Sequence, residues 1–503
     1  MFLRRDLRLQ ADNYYWEHYL MRISYHHYET KKANNGALYF YTEASRLLSE
    51  LSVEGVSVEP HNFFEIAQLN PAELASFVRG LGRSDVLVSN VGPYAHLYHY
   101  LRERYGGNFR ILRDVRTSSW AGYLLQEELA GPLTRPGDLV LFPSEFCRRY
   151  FCRHFANHLN ASNTAVCYPL THSFPAIGVA TKRNLQNAPR IGYLGRIGHD
   201  KSIRRLIEFF SMVYHDDRKA TLHLAGHISE IRGLQKIQRQ LISLGVPADR
   251  LKYHGHMPYT GIWRFFEQID TFFYPMASSV ESFGRVLVEA QHAGVPTVAA
   301  DYGAAAEILP RGNLLDLDFF TDREFDLSNI FSFGEVRLDH ALETMQRSQV
   351  GEPLSRAACY QPKTYLDFVL GERQPDALKA LSPLTQAFID AGTIRHDTLY
   401  TNNEDLLQVL ECLFVSFRHY NNNDFTSRLV RCATAMFGVS PYANRRVLFL
   451  NRLLDPEERM IPRHAIEHCS VVGYRPHITL SGNDSQIASN HMLQRMGVLP
   501  NSL

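Results

Sequence analysis

Residues 281–296 read ESFGRVLVEAQHAGVP, with two glutamates, Glu281 and Glu289, eight positions apart in an otherwise apolar and small-residue stretch. Eight residues correspond to about 800° of rotation at 3.6 residues per turn, so the carboxylates would share an azimuth if both were helical. The strand-like run DTFFYP (270–275) and the small-residue loop MASSV precede them, and a helix is expected from near Gly284. Glu281 therefore falls in the loop and Glu289 inside the helix. The bland reading makes Glu281 a charge complement to a helix amino terminus and Glu289 a solvated side chain. However, VLVEAQHAGVP is the kind of helix that packs against a sheet, so a carboxylate there is expected to be partly buried and to need partners. The hydroxyl pair of a ligand would satisfy it.

Working outward, the same block holds the strand runs RIGYLG, TLHLAG, LKYHGH and PTVAA, each separated by a helix-length segment. An earlier block has the same rhythm: ALYFY, TEASRLLSELS, VSVEPH, PAELASFVRGLG, DVLVSN, FRILRDV, a Leu-rich helix, DLVLF, a helix opened by Ser144, and AVCYPL. Pro71 suits the first turn of a helix and Gly82 a helix stop. Alternation of strands and helices across two blocks predicts two parallel, doubly wound sheets, with ligands at the carboxyl ends of the strands and in the cleft between domains. The polar stretch ATKRNLQNAP is the linker candidate, giving domains of 1–175 and 176–371. Beyond about residue 325 the strand signal fades, and 372–503 is expected to be a mostly helical extension.

A chain of 503 residues is too long for a single core. With 53 basic and 52 acidic residues and a net charge of +1, it offers no electrostatic case for a nucleic-acid partner. The seven cysteines are scattered and show neither CxxC pairing nor ligand spacing with histidines, which favours a reducing cytoplasm and no structural zinc. No apolar run reaches about 18 residues, so no spanning helix is expected. FCRRYFCRHF (146–155) is read as a solvated helix face or as a basic-aromatic face for peripheral contact with a membrane. YYWEHYL (14–20) is read as groove lining or as packing.

Polar residues in the second block follow strands. Gly195, Arg196, Gly198 and Lys201 lie between RIGYL and the helix SIRRLIEFF, and glycines, two cations and a helix amino terminus suit a diphosphate. HGH (254–256) is read as strand-end packing and pocket lining in preference to a metal site.

Taken in order, GYLGRIGHDKS, LHLAGH and the run from Tyr253 to Leu309 resemble the donor-binding domain of family 4 retaining glycosyltransferases of the GT-B fold, over roughly Arg190 to Leu309. The resemblance implies an α/β architecture of two Rossmann-like domains facing a cleft. It also implies transfer of a sugar from a UDP- or GDP-linked donor to a hydroxyl acceptor, with no cofactor and no metal. By position, Arg196 and Lys201 match the cations that hold the diphosphate as it leaves. Glu281 matches the glutamate associated with the transferred sugar, and Glu289 the one that accepts from the ribose hydroxyls. Ser282, Phe283, Gly284 and Arg285 match the loop beside sugar and phosphates, and Gly255 and His256 the turn beside the base. The first block is similar to the acceptor domain with two departures. Residues 1–36 show no clear opening strand with a glycine-rich loop, and Arg113-Asp114 stands where many members have His-Asp. Asp114 and Arg116 are cleft candidates or a structural ion pair. Two alternatives to the enzyme are a catalytically silent GT-B subunit serving a partner protein and a GT-B phosphorylase.

Overall fold

The computed structural model describes residues 21–28, 36–116, 121–169, 188–198, 201–228, 232–278, 281–319, 334–350, 361–391, 403–419 and 428–429. Two six-stranded parallel sheets dominate it. The first contains β1 (Met21–His26), β2 (Val56–His61), β3 (Val86–Val88), β4 (Arg110–Asp114), β5 (Leu139–Phe142) and β6 (Thr164–Val166), in the order β2-β1-β3-β4-β5-β6. The second contains β7 (Arg190–Leu194), β8 (Thr221–Ala225), β9 (Leu251–Tyr253), β10 (Thr271–Tyr274), β11 (Thr297–Ala300) and β12 (Leu314–Leu315), in the order β12-β11-β10-β7-β8-β9. Both sheets are wound with helices, as the GT-B expectation requires. In the second, the winding direction reverses between β7 and β10, and the loops leaving such a pair diverge into a ligand-sized crevice.

Local chemistry explains where several of the helices start and stop. α3 (Pro71–Arg79) starts with Pro71 in its first turn and a capping box between Asn70 and Glu73, and it ends at Gly80, not Gly82. α6 (Glu145–His154) is capped by Ser144, whose hydroxyl accepts from Cys147 N. α10 (Arg285–His292) starts after Gly284, which holds φ +77°, a left-handed conformation that favours glycine.

Two expectations for the first domain are corrected. ALYFY is not a strand. It opens α1 (Gly36–Ser49), in which Phe40, Ala44 and Leu48 are all buried at four-residue spacing. The strand belongs to MRISYH, where Ile23 and Tyr25 are buried in a two-residue period and β1 pairs with both β2 and β3. The amino-terminal segment therefore does supply a strand in the sheet interior, and residues 29–35 lie outside the described residues.

Strand structure also persists beyond residue 325. β13 (Leu317–Phe319) and β14 (Gly334–Val336) form an antiparallel pair. Between β7 and β14 the second domain has α7 (Ile203–Asp216), α8 (Gly233–Ser243), α9 (Ile262–Glu267) and α11 (Ala305–Ile308), with α12 (Ala341–Arg347) after β14.

Three further helices follow: α13 (Pro362–Leu370), α14 (Pro383–Ala391) and α15 (Asn403–His419). α13 returns to the first sheet, where Tyr365, Phe368 and Val369 join the core around Ile23, Tyr25, Phe40 and Val88. Phe417 of α15 packs on Phe63, Phe64 and Tyr94 of the same domain. Of the helix expected at 426–437 only Arg428 and Leu429 are described, and both are helical, while the segment YYWEHYL and most of the linker candidate lie outside the described residues.

Candidate active site in the crevice between the sheets

Three consecutive strand ends of the second sheet are laced by backbone alone. Gly195 N donates to Ala225 O at 3.0 Å, and Gly226 N donates to Gly255 O at 2.8 Å. A side chain on Gly226, at φ +137°, would place its Cβ 1.7 Å from Gly195 O, so the close approach of these turns requires glycine. Tyr193 Oη donates to Arg196 O and Tyr253 Oη to Gly226 O, bracing the same edge. The Arg196 side chain is exposed just beyond β7, and His256 is exposed just beyond Gly255.

Across the reversal point, the loop after β10 carries Glu281. Its Oε2 accepts from Lys201 Nζ at 3.3 Å and from Tyr274 Oη at 2.6 Å, with both charged side chains partly exposed. The sequence reading had placed Lys201 and Glu281 in separate elements, and the structure makes them an ion pair. It had not singled out Tyr274, the last residue of β10.

Glu281 is in the loop and Glu289 is on α10, so they do not share a helical azimuth; they stand at the two ends of one loop-helix unit. Glu289 is only 3% exposed, and burial raises its pKa while Arg285 holds it down. Its Oε1 accepts from Arg285 Nε at 2.9 Å. Glu289 is thus not the solvated side chain of the bland reading. Phe283 is buried and packs on Tyr168, and Ser282 is half-buried.

The acceptor-side candidates meet this loop from the other domain. Asp114 and Arg116 form a buried ion pair at 2.7 Å, and Arg116 also donates to Cys167 O and lies over the Phe40 ring. Burial raises the Asp114 pKa and Arg116 opposes it. Arg116 contributes a backbone contact to the crevice: its carbonyl accepts from Ser282 Oγ at 3.0 Å. Ser144 Oγ donates to Ser282 O at 2.6 Å, so the loop is held from both sides.

α6 corrects a further expectation. FCRRYFCRHF is neither a solvated nor a membrane-facing helix, since Phe146, Cys147, Arg148, Tyr150, Phe151 and His154 are all buried. Its amino terminus abuts the second domain, where the Glu307 carboxylate accepts from Glu145 N at 3.1 Å and Phe146 N at 3.0 Å. Burial pushes the Glu307 pKa up to about 7 despite these donors. Glu307 was not assigned from sequence; a lone glutamate in AAAEIL carries no spacing signal, and its partners are amides 160 residues away.

Among the described residues no group of three or more His, Cys, Asp or Glu side chains could hold a metal ion. His254 of HGH stacks on His223, with rings 5.2 Å apart and nitrogens 3.1 Å apart, as strand-edge packing. No described helix is long and apolar enough to cross a membrane.

Residues 180–314 match the family described as glycosyl transferases group 1. A curated relative, mannosylfructose-phosphate synthase of Agrobacterium fabrum, is 27% identical over 158 residues, covering 30% of this chain and 34% of the relative. The chain thus spans about a third of that relative's length. Among solved structures, Anabaena Alr3699/HepE in complex with UDP is 17% identical, with 74% of this chain and 98% of that one covered, at a TM-score of 0.44. The pneumococcal O-GlcNAc transferase GtfA in complex with UDP and GlcNAc is 16% identical, with coverage of 60% and 56% and a TM-score of 0.38. The family match falls on the second sheet, from before β7 to the start of β12 and through Arg196, Lys201, Glu281 and Glu289, so this part of the chain is similar to the glycosyl transferases group 1 and lies in an architecture of two parallel six-stranded sheets.

Proposed function

We propose that the chain is a retaining glycosyltransferase that moves a sugar from a nucleoside-diphosphate donor, UDP- or GDP-linked, to a hydroxyl acceptor. The observation that carries this reading is the pairing of Lys201 with Glu281 at a crevice edge of the family-matched segment, in the loop that leads into the helix of the buried Glu289. Residues 1–175, with α13 packed back on them, would form the acceptor-side domain, residues 176 to 350 the donor domain and 372–503 the extension.

Glu281 keeps Lys201 in place until a diphosphate competes for the ammonium. Arg196 and Lys201 then neutralise the departing diphosphate, with the amides of Ser282 to Arg285 beside it. Glu281, freed from Lys201 and still bonded to Tyr274, turns to the hydroxyls of the transferred sugar. Glu289 accepts from the ribose, while Gly255 and His256 flank the base. Transfer on one face of the sugar through an oxocarbenium-like state would retain the anomeric configuration, and the charge provided by these side chains removes the need for a metal.

A second reading, a silent subunit that binds donor and serves a partner protein, is favoured by one observation: Asp114 and Arg116, the cleft-side pair of the first sheet, are buried against each other. Calorimetry against a panel of nucleoside diphosphates and their sugars, followed by assay of donor hydrolysis, separates the readings. Binding with release of free nucleoside diphosphate supports the enzyme, binding without any release supports the silent subunit, and absence of binding across the panel sinks both.

A further inference from the structure

Arg285 is the first residue of α10 and stands four positions before Glu289, a spacing that by itself would make an ordinary helix-surface pair. Its guanidinium, however, is set in an aromatic notch built by two domains. The Tyr39 ring, in the first turn of α1, is 4.6 Å from Arg285 Cζ, and the Tyr259 ring, in the turn after β9, is 5.5 Å from it. The two rings are 6.3 Å apart and tilted by 44°. Trp263 packs edge-on against Tyr259, and His292 packs edge-on against Trp263. Burial, then Glu289, raises the Tyr259 pKa, and Arg285 and Tyr39 act on the same hydroxyl, so four side chains share one electrostatic environment.

This geometry restrains Arg285, and through it Glu289. A guanidinium lying against two neighbouring aromatic rings is held by the ring quadrupoles. A buried carboxylate whose Oε1 is fixed by that guanidinium has a defined orientation. We propose that Tyr39 is a positioning residue of the nucleotide site contributed by the other domain: by packing against Arg285 it orients Glu289, so that the nucleoside is gripped fully only when α1 is docked on the second domain. The proposal rests on the reading of Glu289 as the ribose acceptor and adds to it a cross-domain dependence.

The test is calorimetry of the full chain with UDP, GDP and inorganic pyrophosphate, for the native protein, Tyr39→Ala and Tyr39→Phe. Tyr39→Ala is expected to weaken the bound nucleoside diphosphate by about three- to thirty-fold, the range of one cation-ring contact, with pyrophosphate affinity unchanged. Tyr39→Phe, which keeps the ring, should bind as the native chain does. Undiminished nucleotide binding by Tyr39→Ala overturns the proposal while leaving the glycosyltransferase reading intact. An equal loss for pyrophosphate, or a loss in Tyr39→Phe as large as in Tyr39→Ala, overturns it too, because neither a general disturbance nor a hydroxyl contact is what the notch describes. If the native chain binds no nucleoside diphosphate, the functional reading fails and this inference falls with it.

Discussion

The two sheets resemble each other in size and winding, yet the charges near their strands are arranged in opposite ways. In the first domain two buried ion pairs are densely hydrogen-bonded. Arg113 meets both oxygens of Glu127 at 2.9–3.2 Å and Thr134 besides. Asp138 accepts two bonds from Arg102, both at 2.8 Å, and two from backbone amides. His61 lies between Ser24 and Tyr98, and burial holds His26 down to about 4 and His96 to about 3, so these imidazoles stay neutral. In the second domain, Lys201 and Glu281 face each other with side chains 14% and 18% exposed. A carboxylate with every lone pair engaged by its own fold has nothing to give a ligand, whereas a carboxylate sharing a cation at an accessible edge can exchange that cation for substrate. The Arg113–Glu127 and Arg102–Asp138 pairs hold the first domain, whereas the Lys201–Glu281 pair of the second stays exchangeable.

Four measurements would break or sharpen this contrast. The largest effect is expected from Glu127→Ala, which leaves Arg113 charged and unpaired in the interior and should cost about 3–5 kcal/mol of stability in chemical denaturation. A loss below about 1 kcal/mol would mean the pair is not holding the first domain. Lys201→Ala should show the reverse profile, with turnover reduced about 100-fold to 1,000-fold and the unfolding free energy moved by less than about 0.5 kcal/mol. A parallel fall in stability would erase the distinction between the domains. Glu289→Gln should weaken nucleoside-diphosphate binding by about ten-fold to several hundred-fold, the loss of one or two charge-assisted bonds, as read by calorimetry.

The smallest effect concerns the joint between the domains. Burial raises the folded-state pKa of Glu307 to about 7 from the ordinary carboxylate value of 4.5, so the docked state holds a proton that the unfolded chain releases. Its contribution is therefore most favourable at low pH and is lost as pH rises from about 4.5 through about 7. The groups facing it are Glu145, whose charge raises the pKa, and Tyr168 and the amides of Glu145 and Phe146, which lower it. The midpoint of thermal unfolding of the native chain should fall relative to that of Glu307→Gln between pH 5 and pH 7.5. Parallel curves for the two proteins would show that this carboxyl does not titrate in that window.

Much of the second domain was legible in the sequence because its strands are short apolar runs ended by glycine or proline, a pattern with little ambiguity. RIGYLG, TLHLAG and DTFFYP each end where β7, β8 and β10 end, within a residue or two. Lys201, Glu281 and Glu289 were legible because charges in apolar or glycine-rich stretches are conspicuous. The first domain was harder for a physical reason. ALYFY has strand-like aromatic content, and only tertiary packing, with Phe40, Ala44 and Leu48 on one buried face, makes it helical. α6 misled in the opposite sense: its arginines suggested solvent, but Arg148 is buried and donates to Thr164 Oγ1 and to the carbonyls of Ala161 and Asp376. Tyr39, Ser144 and Glu307 matter through partners in the other domain, and periodicity within one segment carries no trace of such partners.

The return of α13 to the first sheet has a consequence for how the molecule can be divided. The chain leaves the first sheet after β6, builds the second, and then comes back to lay Tyr365, Phe368 and Val369 against the core of the first, with Arg148 and Arg149 fastening the carbonyls of Asp376 and Lys379. The amino-terminal folding unit is therefore discontinuous: its last wall is synthesised only after the whole of the other unit. Ending the chain at Ser348 would strip apolar cover from the domain that was completed, in sequence, almost two hundred residues earlier. On this architecture, exchanging donor domains between related chains calls for a graft with two junctions, one on each side of the second sheet.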